Sequence, residues 1–240
     1  FKNKSYIGDP INTVRIYNDQ MVDELIFLDI TASKKGNEPN FKLIEEIASE
    51  CFMPFTYGGG ISTLEQAKKL FGIGVEKVAI NSAVFTHPSL IESIARQFGQ
   101  QSIVGAMDVK KTMLGQYRVY KSNTGQKTKE TPLAHANYLK NLGVGEILLT
   151  SITQAGVMAG FDVNLIKMVA PNIELPVIAC GGAGELSDLR KPITEGGASA
   201  LAVGSMVIYQ GKNRSVLTNF PSQQKLKKAL EQEVEPGFVI

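Results

Sequence analysis

Two glycine clusters, Gly58-Gly59-Gly60 and Gly181-Gly182-Ala183-Gly184, stand 123 residues apart, and the same interval separates Asn81-Ser82 from Gly204-Ser205. Within each half the second pair follows the first glycine by 23 residues. A longer match lies at almost the same offset. Glu24-Leu25-Ile26-Phe27-Leu28-Asp29-Ile30-Thr31 precedes Glu146-Ile147-Leu148-Leu149-Thr150-Ser151-Ile152-Thr153 by 122 residues, a difference that one loop insertion absorbs. Duplication of a half-fold accounts for all three matches at once.

The segments between these landmarks read as alternating strands and helices. Short, nearly continuous apolar runs, the habit of strands buried on both faces, alternate with amphipathic stretches. Strands are expected at Leu25–Ile30, Pro54–Tyr57, Lys77–Ile80, Ile103–Val109, Ile147–Ile152, Pro176–Cys180 and Ala200–Val203. Helices are expected at Lys42–Glu50, Leu64–Phe71, Ser89–Phe98, Leu133–Leu142, Val163–Val169 and Ser187–Thr194. This order predicts an α/β fold, a (β/α)8 TIM barrel with internal half-barrel duplication, over a smaller doubly wound sheet. Seven strands leave the barrel one short; its first strand is expected before Phe1, so residues 1–240 read as a single TIM-barrel domain that is incomplete at its N-terminus. The segment from Val109 to Leu133 is a long connection in which Gln116–Lys121 could add a small strand. A substrate lid and an exposed connection both fit it.

A formal charge of +2, from 25 basic and 23 acidic residues, gives no nucleic-acid footprint. No apolar run is long enough to span a bilayer and no signal peptide opens the chain, so a cytoplasmic protein with no membrane insertion is expected. Cys51 and Cys180 form neither a disulfide framework nor a metal cluster, and both read as buried thiols.

Glycines at 58–60 let the backbone turn closely around an anion with amide hydrogens pointing at its oxygens, and Asn81 and Ser82 add polar groups from the next strand end. The second copy offers Gly181, Gly182 and Gly184 with Gly204 and Ser205. Two such cradles suit a substrate with phosphates at both ends, whereas tight βα turns that merely permit packing are the plainer alternative. Asp108 ends the apolar run Ile103–Met107 at the ligand-bearing side of its strand, where a carboxylate tuned by burial can transfer protons; a capping role also fits that position. Asp29 stands similarly, either to orient substrate hydroxyls or to fix the Thr31-Ala32-Ser33 turn. Glu24, Glu76, Lys77 and Glu146 sit at strand entrances, as a charged lower mouth or as ordinary surface pairs. His87 and His135 have no metal-ligand pattern around them and read as structural or exposed.

Taken together, Phe27-Leu28-Asp29-Ile30-Thr31, Gly58-Gly59-Gly60-Ile61, Lys77-Val78-Ala79-Ile80-Asn81, Gly145 to Ile152 and Gly181-Gly182-Ala183-Gly184 closely resemble the cyclase (HisF) subunit of imidazole glycerol phosphate synthase across almost the whole chain. The resemblance implies a bis-phosphorylated ribonucleotide substrate, cleaved and cyclised with ammonia from a HisH-like glutaminase partner in histidine biosynthesis, with no metal and no other cofactor. It makes Asp108 one of two central acid/base aspartates and puts the other, with an arginine of the gate, on the strand before Phe1. Gly59, Gly60, Asn81 and Ser82 match one phosphate side and Gly182, Gly204 and Ser205 the other. Glu24, Lys77 and Glu146 match the ammonia gate, and Glu76 a partner contact.

One turn departs from that pattern. Ser151-Ile152-Thr153-Gln154-Ala155-Gly156 carries Thr153 and Ala155 where the family has acids, while Gly156 keeps room for close backbone approach. Phe1–Pro10 and Tyr209–Arg214 resemble a paralogous branch tied to surface-polysaccharide synthesis. This implies an alternative role, an ammonia-passing subunit or scaffold for a sugar amidotransferase that forms an acetamidino sugar.

Overall fold

The computed structural model describes residues 7–211 and 213–231. Of the two segments that resemble the paralogous branch, residues 1–6 and Lys212 therefore lie outside the described residues. Seven parallel strands form one sheet: β1 (Leu25–Leu28), β2 (Phe55–Gly58), β3 (Lys77–Ile80), β4 (Ile103–Lys111), β7 (Glu146–Ser151), β8 (Val177–Cys180) and β9 (Ala200–Ala202). They lie side by side in chain order, so every connection returns over the outside of the sheet, the right-handed βα habit from which barrels are built. Between β4 and β7 the chain adds an antiparallel arm, β5 (Tyr117–Lys121) and β6 (Gln126–Lys127), with β5 paired to β4.

The connecting helices are α2 (Ala32–Lys35), α3 (Phe41–Glu50), α4 (Leu64–Gly72), α5 (Ser82–Thr86), α6 (Pro88–Phe98), α7 (Pro132–Leu142), α8 (Val163–Val169), α9 (Arg190–Thr194) and α10 (Ser205–Ile208). α1 (Pro10–Asp19) precedes the sheet and α11 (Gln223–Glu231) follows it, with a small pair β10 (Tyr209–Gln210) and β11 (Ser215–Val216) between α10 and α11. Local chemistry sets the longer helix starts. Asn40 accepts the Leu43 amide, Thr63 and Gln66 form a reciprocal capping box, and Thr131 caps α7 ahead of Pro132.

Side chains divide into two layers. Ala79, Val104, Leu148 and Ile178, with Ile26, Ala106, Cys180 and Ala202 against them, fill the concave side of the sheet. A larger layer that includes Ile47, Leu70, Ile91, Ile94, Ile103, Leu139 and Ile147 fills the space between sheet and helices. Each such fully buried aliphatic side chain contributes roughly 1.5–3 kcal/mol, so helix docking, not propensity, holds the shell together. The sheet is open among the described residues, since β1 pairs only with β2 and β9 only with β8. Both edge strands lack buried residues, whereas β2 is buried throughout.

The structure corrects several sequence expectations. β1 stops at Leu28, because the Asp29 side chain accepts the Thr31 and Ala32 amides and turns the chain into α2; Asp29 and Ile30 are not strand residues. The expected helix Ser187–Thr194 breaks into a 3-10 turn, Leu186–Asp188, and the short α9; Asp188 accepts the Gly184 and Glu185 amides and caps the start of the turn. β4 runs on to Lys111, since the strand suggested at Gln116–Lys121 exists as β5 and pairs with that extension. α1, α2, α5, α10 and α11 have no counterpart among the expected helices.

Candidate functional site

The outgoing ends of the parallel strands surround a cavity of about 560 Å³. Its wall takes in Asp29, Gly59, Gly60, Asn81 and Ser82 from one side and Asp108, Ser122, Thr150 and Cys180 from the other. Gly59 and Gly60 have φ of +134° and +70°, and a Cβ on either would meet the backbone oxygen of Asp29 at 2.6 Å or of Asn37 at 2.5 Å. Only glycine fits these positions. The Gly60 amide donates to Ser33 Oγ at 3.2 Å, so the turn is closed by a side chain of the first βα loop. Asp29 makes the turn expected as one of its two readings, with Oδ1 also accepting from the Thr31 hydroxyl at 2.7 Å.

Asp108 lies on the cavity side of β4. Asn81 Nδ2 donates to its Oδ2 at 2.9 Å, and the Ser122 hydroxyl, returned by the β5–β6 arm, donates to the same oxygen. Thr150, its direct partner across β4 and β7, also hydrogen-bonds to it. Burial pushes the carboxyl above the ordinary carboxylate range, against the pull of the Ser122, Asn81 and Thr150 hydrogen bonds and the charge of Lys34. Cys180, paired with Thr150 on the other side, is pushed up to about 11, chiefly by burial, with the Asp108 charge adding to it and a Thr150 hydrogen bond opposing.

The second cradle repeats the backbone of the first. Asn81 precedes α5 at φ −117°, ψ −74°, and Gly204 precedes α10 at φ −128°, ψ −71°, so the two halves open corresponding short helices in the same way. Gly181 and Gly182 have φ of +95° and +119°, and a Cβ on Gly182 would lie 2.1 Å from the Gly160 oxygen. Gly156 and Gly204 stand in open space. These glycines and Ser205 do not share the cavity that holds Asp108, although Ala155 and Cys180, next to them in the chain, line it.

At the incoming ends, Lys77 Nζ lies 3.1 Å from Glu24 Oε2 and 2.7 Å from Glu146 Oε1, and Thr56 Oγ1 donates to Glu24 Oε1 at 2.8 Å. Burial draws the Lys77 pKa down, but hydrogen bonds to Glu146 and Glu24 and their charges outweigh it and leave it raised. Glu76 is exposed beside this cluster. Along the strands the level of Asp108 lies about 20 Å above Lys77 and about 13 Å above Glu146, at roughly 3.3 Å per residue.

Ser122 and Thr150 were not singled out in the sequence. Thr150 is signalled by alternation, since Leu148 and Thr150 must share a sheet face and a polar residue on a buried face needs a partner. Nothing local signals Ser122, which reaches Asp108 only through the fold of the arm. His87 sits exposed on the cavity rim, and His135 is buried, stacked on Phe85 and bonded to Glu130 at 2.6 Å. Among the described residues no helix is long and apolar enough to cross a membrane.

Comparison with known proteins agrees with this architecture. A family model described as histidine biosynthesis protein matches residues 1–214. The chain is 50% identical over 226 residues to a Pseudomonas aeruginosa protein named for imidazole glycerol phosphate synthase subunit hisF2, covering 94% of this chain and 90% of that one. It is 43% identical to a hisF3-named protein of Vibrio vulnificus, covering 96% and 89%, and 41% identical to the imidazole glycerol phosphate synthase subunit HisF of Alkaliphilus metalliredigens, covering 84% and 80%. With its parallel βα sheet, duplicated glycine turns and this degree of identity, the chain belongs to the histidine biosynthesis protein family, among relatives named as HisF subunits of imidazole glycerol phosphate synthase.

Proposed function

We propose that this chain is the cyclase subunit of imidazole glycerol phosphate synthase, which uses ammonia from a glutaminase partner to cleave and cyclise a bis-phosphorylated ribonucleotide in histidine biosynthesis. The observation that carries this reading is the meeting of the Gly58–Gly60 turn and the half-buried Asp108 carboxyl in one cavity. A carboxyl whose pKa is raised by burial holds a proton closer to neutrality than a solvated one, as both delivery to a leaving nitrogen and removal during ring closure require. Asn81, Ser122 and Thr150 keep it from rising further and fix its orientation. Gly59, Gly60, Asn81 and Ser82 take one phosphate; Gly182, Gly204 and Ser205, with Gly156, take the other, and the duplicated turns supply one cradle for each end of the substrate. Asp29 holds the loop that closes the first cradle. Ammonia enters where Lys77, Glu24 and Glu146 close the opposite end, and exposed Glu76 meets the glutaminase.

The test is turnover of the histidine-pathway substrate by the protein with added ammonium, and with glutamine plus its glutaminase. Cyclisation under both conditions supports the reading. Glutaminase stimulation and amidination of a nucleotide-linked acetamido sugar, without cyclisation, would sink it and assign the chain to the sugar pathway, which the replacement of acids by Thr153 and Ala155 makes the useful comparison.

A further inference from the structure

The arm β4–β5–β6 has two unlike faces. Val109, Tyr117 and Val119 are buried in the core, and Tyr117 Oη donates to Asp162 Oδ1 at 2.7 Å at the start of α8, which pins that side down. Strand alternation places Lys110 on the other side, the same side of β4 as the cavity-lining Ala106 and Asp108. Pairing puts Arg118 directly opposite Lys110, and Lys127 directly opposite Tyr120. Ser122, two residues beyond Tyr120, returns to Asp108. One continuous surface thus climbs from the Asp108 carboxyl to Tyr120, Arg118, Lys110 and Lys127.

This surface is electrostatically unbalanced. Six of the 25 basic residues and none of the 23 acidic ones fall from Val109 to Lys129; three of the six, Lys110, Arg118 and Lys127, lie on this face, whereas Lys111, opposite Tyr117, lies on the other. Like charges placed directly across a strand pair, as Lys110 and Arg118 are, weaken the pair. Among the described residues no ion pair relieves them; the nearest compensation is the Tyr120 ring, 5.8 Å below Lys110 Nζ, and the carbonyl and amide oxygens of Tyr117 and Gln116 that Arg118 reaches. A fixed sheet face that keeps such a repulsion beside a cavity mouth suits an anion arriving from solvent.

We infer that Lys110, Arg118, Tyr120 and Lys127 form a capture site for phosphorylated small molecules, outside both glycine cradles, from which an anionic substrate passes down the β4–β5 surface to Asp108. The inference rests on the proposed use of a phosphorylated substrate and adds the place where that substrate is first held. Three cations engage the phosphate, and the Tyr120 ring offers a flat face to the sugar or base attached to it.

The test is NMR titration of the full-length, nitrogen-15-labelled chain with ribose 5-phosphate at constant ionic strength. Saturable shifts are expected at Lys110, Arg118, Tyr120 and Lys127 as well as at Gly59 and Gly60. In the K110Q/R118Q/K127Q variant the arm shifts should need at least tenfold more ligand, with those at Gly59 and Gly60 unchanged. Response at the glycines alone overturns the capture site and leaves the proposed function standing; response at the arm alone does the reverse. Silence at both overturns both. Saturation of the arm by polyglutamate but not by ribose 5-phosphate overturns the inference and assigns the face to an acidic protein.

Discussion

Asn81 Nδ2 donates to Asp108 Oδ2 at 2.9 Å, which ties the residue opening α5 to the carboxyl on the neighbouring strand. The hydrogen bond favours the ionised form, whereas burial, the larger effect, favours the protonated one. In Asn81→Ala the Asp108 pKa is expected to rise further, so the acidic limb of the cyclisation pH profile should move to higher pH, with kcat lowered roughly tenfold or more.

The same balance gives a stability prediction. Because its folded pKa lies above the unfolded value, Asp108 disfavours folding near neutral pH, a penalty that is absent once both states are protonated. Asp108→Asn should therefore raise Tm at pH 7, with the gain shrinking as pH falls below the raised folded pKa and gone below about pH 4, while lowering turnover by roughly 10²- to 10⁴-fold. Thermal melts across pH and a steady-state assay check the two halves separately.

Lys77 separates two carboxylates that would otherwise face each other, Glu24 and Glu146. Lys77→Ala should destabilise the fold by about 1–3 kcal/mol, between the ranges for exposed and buried pairs because all three side chains are partly exposed. The folded pKa of Lys77 is raised, so its contribution is complete at neutral pH and lost as pH climbs through that value. Urea unfolding at pH 7 measures the loss. If the cluster gates ammonia, the glutamine-dependent reaction should fall more than the ammonium-dependent one.

The two cradles contain glycines of different kinds. Gly182→Ala drives a Cβ to 2.1 Å from a backbone oxygen at positive φ and should cost several kcal/mol or prevent folding. Gly204→Ala meets nothing within 4 Å at negative φ and should leave Tm almost unchanged. A rise in KM for the bis-phosphorylated substrate in the second variant would then report ligand approach to that backbone, not folding.

Lys110 and Arg118 face each other across β4 and β5. Lys110→Glu exchanges a like-charge pair for an opposite one and should stabilise the protein by about 0.5 kcal/mol, while slowing association of phosphorylated ligands at low salt. Differential scanning calorimetry and stopped-flow binding read the opposed effects.

Much of the site's framework was legible because it rests on short-range chemistry. The matched glycine clusters marked turns whose φ angles are indeed positive at Gly59, Gly60, Gly181 and Gly182, and the apolar run from Ile103 placed Asp108 on a strand near its outgoing end. The sixth of the expected helices is shorter than its pattern suggested: Glu185 and Asp188 cap a 3-10 turn at its start, and the α-helix itself runs only from Arg190 to Thr194. α5 and α10 were missed because each is only one turn long and leaves no amphipathic period to read.

Periodicity and spacing by themselves determined the parallel βα order, the internal repeat and the presence of an aspartate at a strand's outgoing end. The tertiary structure alone decided what that aspartate experiences. Ser122 reaches it through an antiparallel arm and Thr150 through register with β7, contacts that join residues 14 and 42 positions away from Asp108. The cation-rich face of the arm likewise exists only once strand pairing sets Lys110 against Arg118. Burial, register and charge juxtaposition are properties of segments brought together, and no local period along the chain encodes which segments those are.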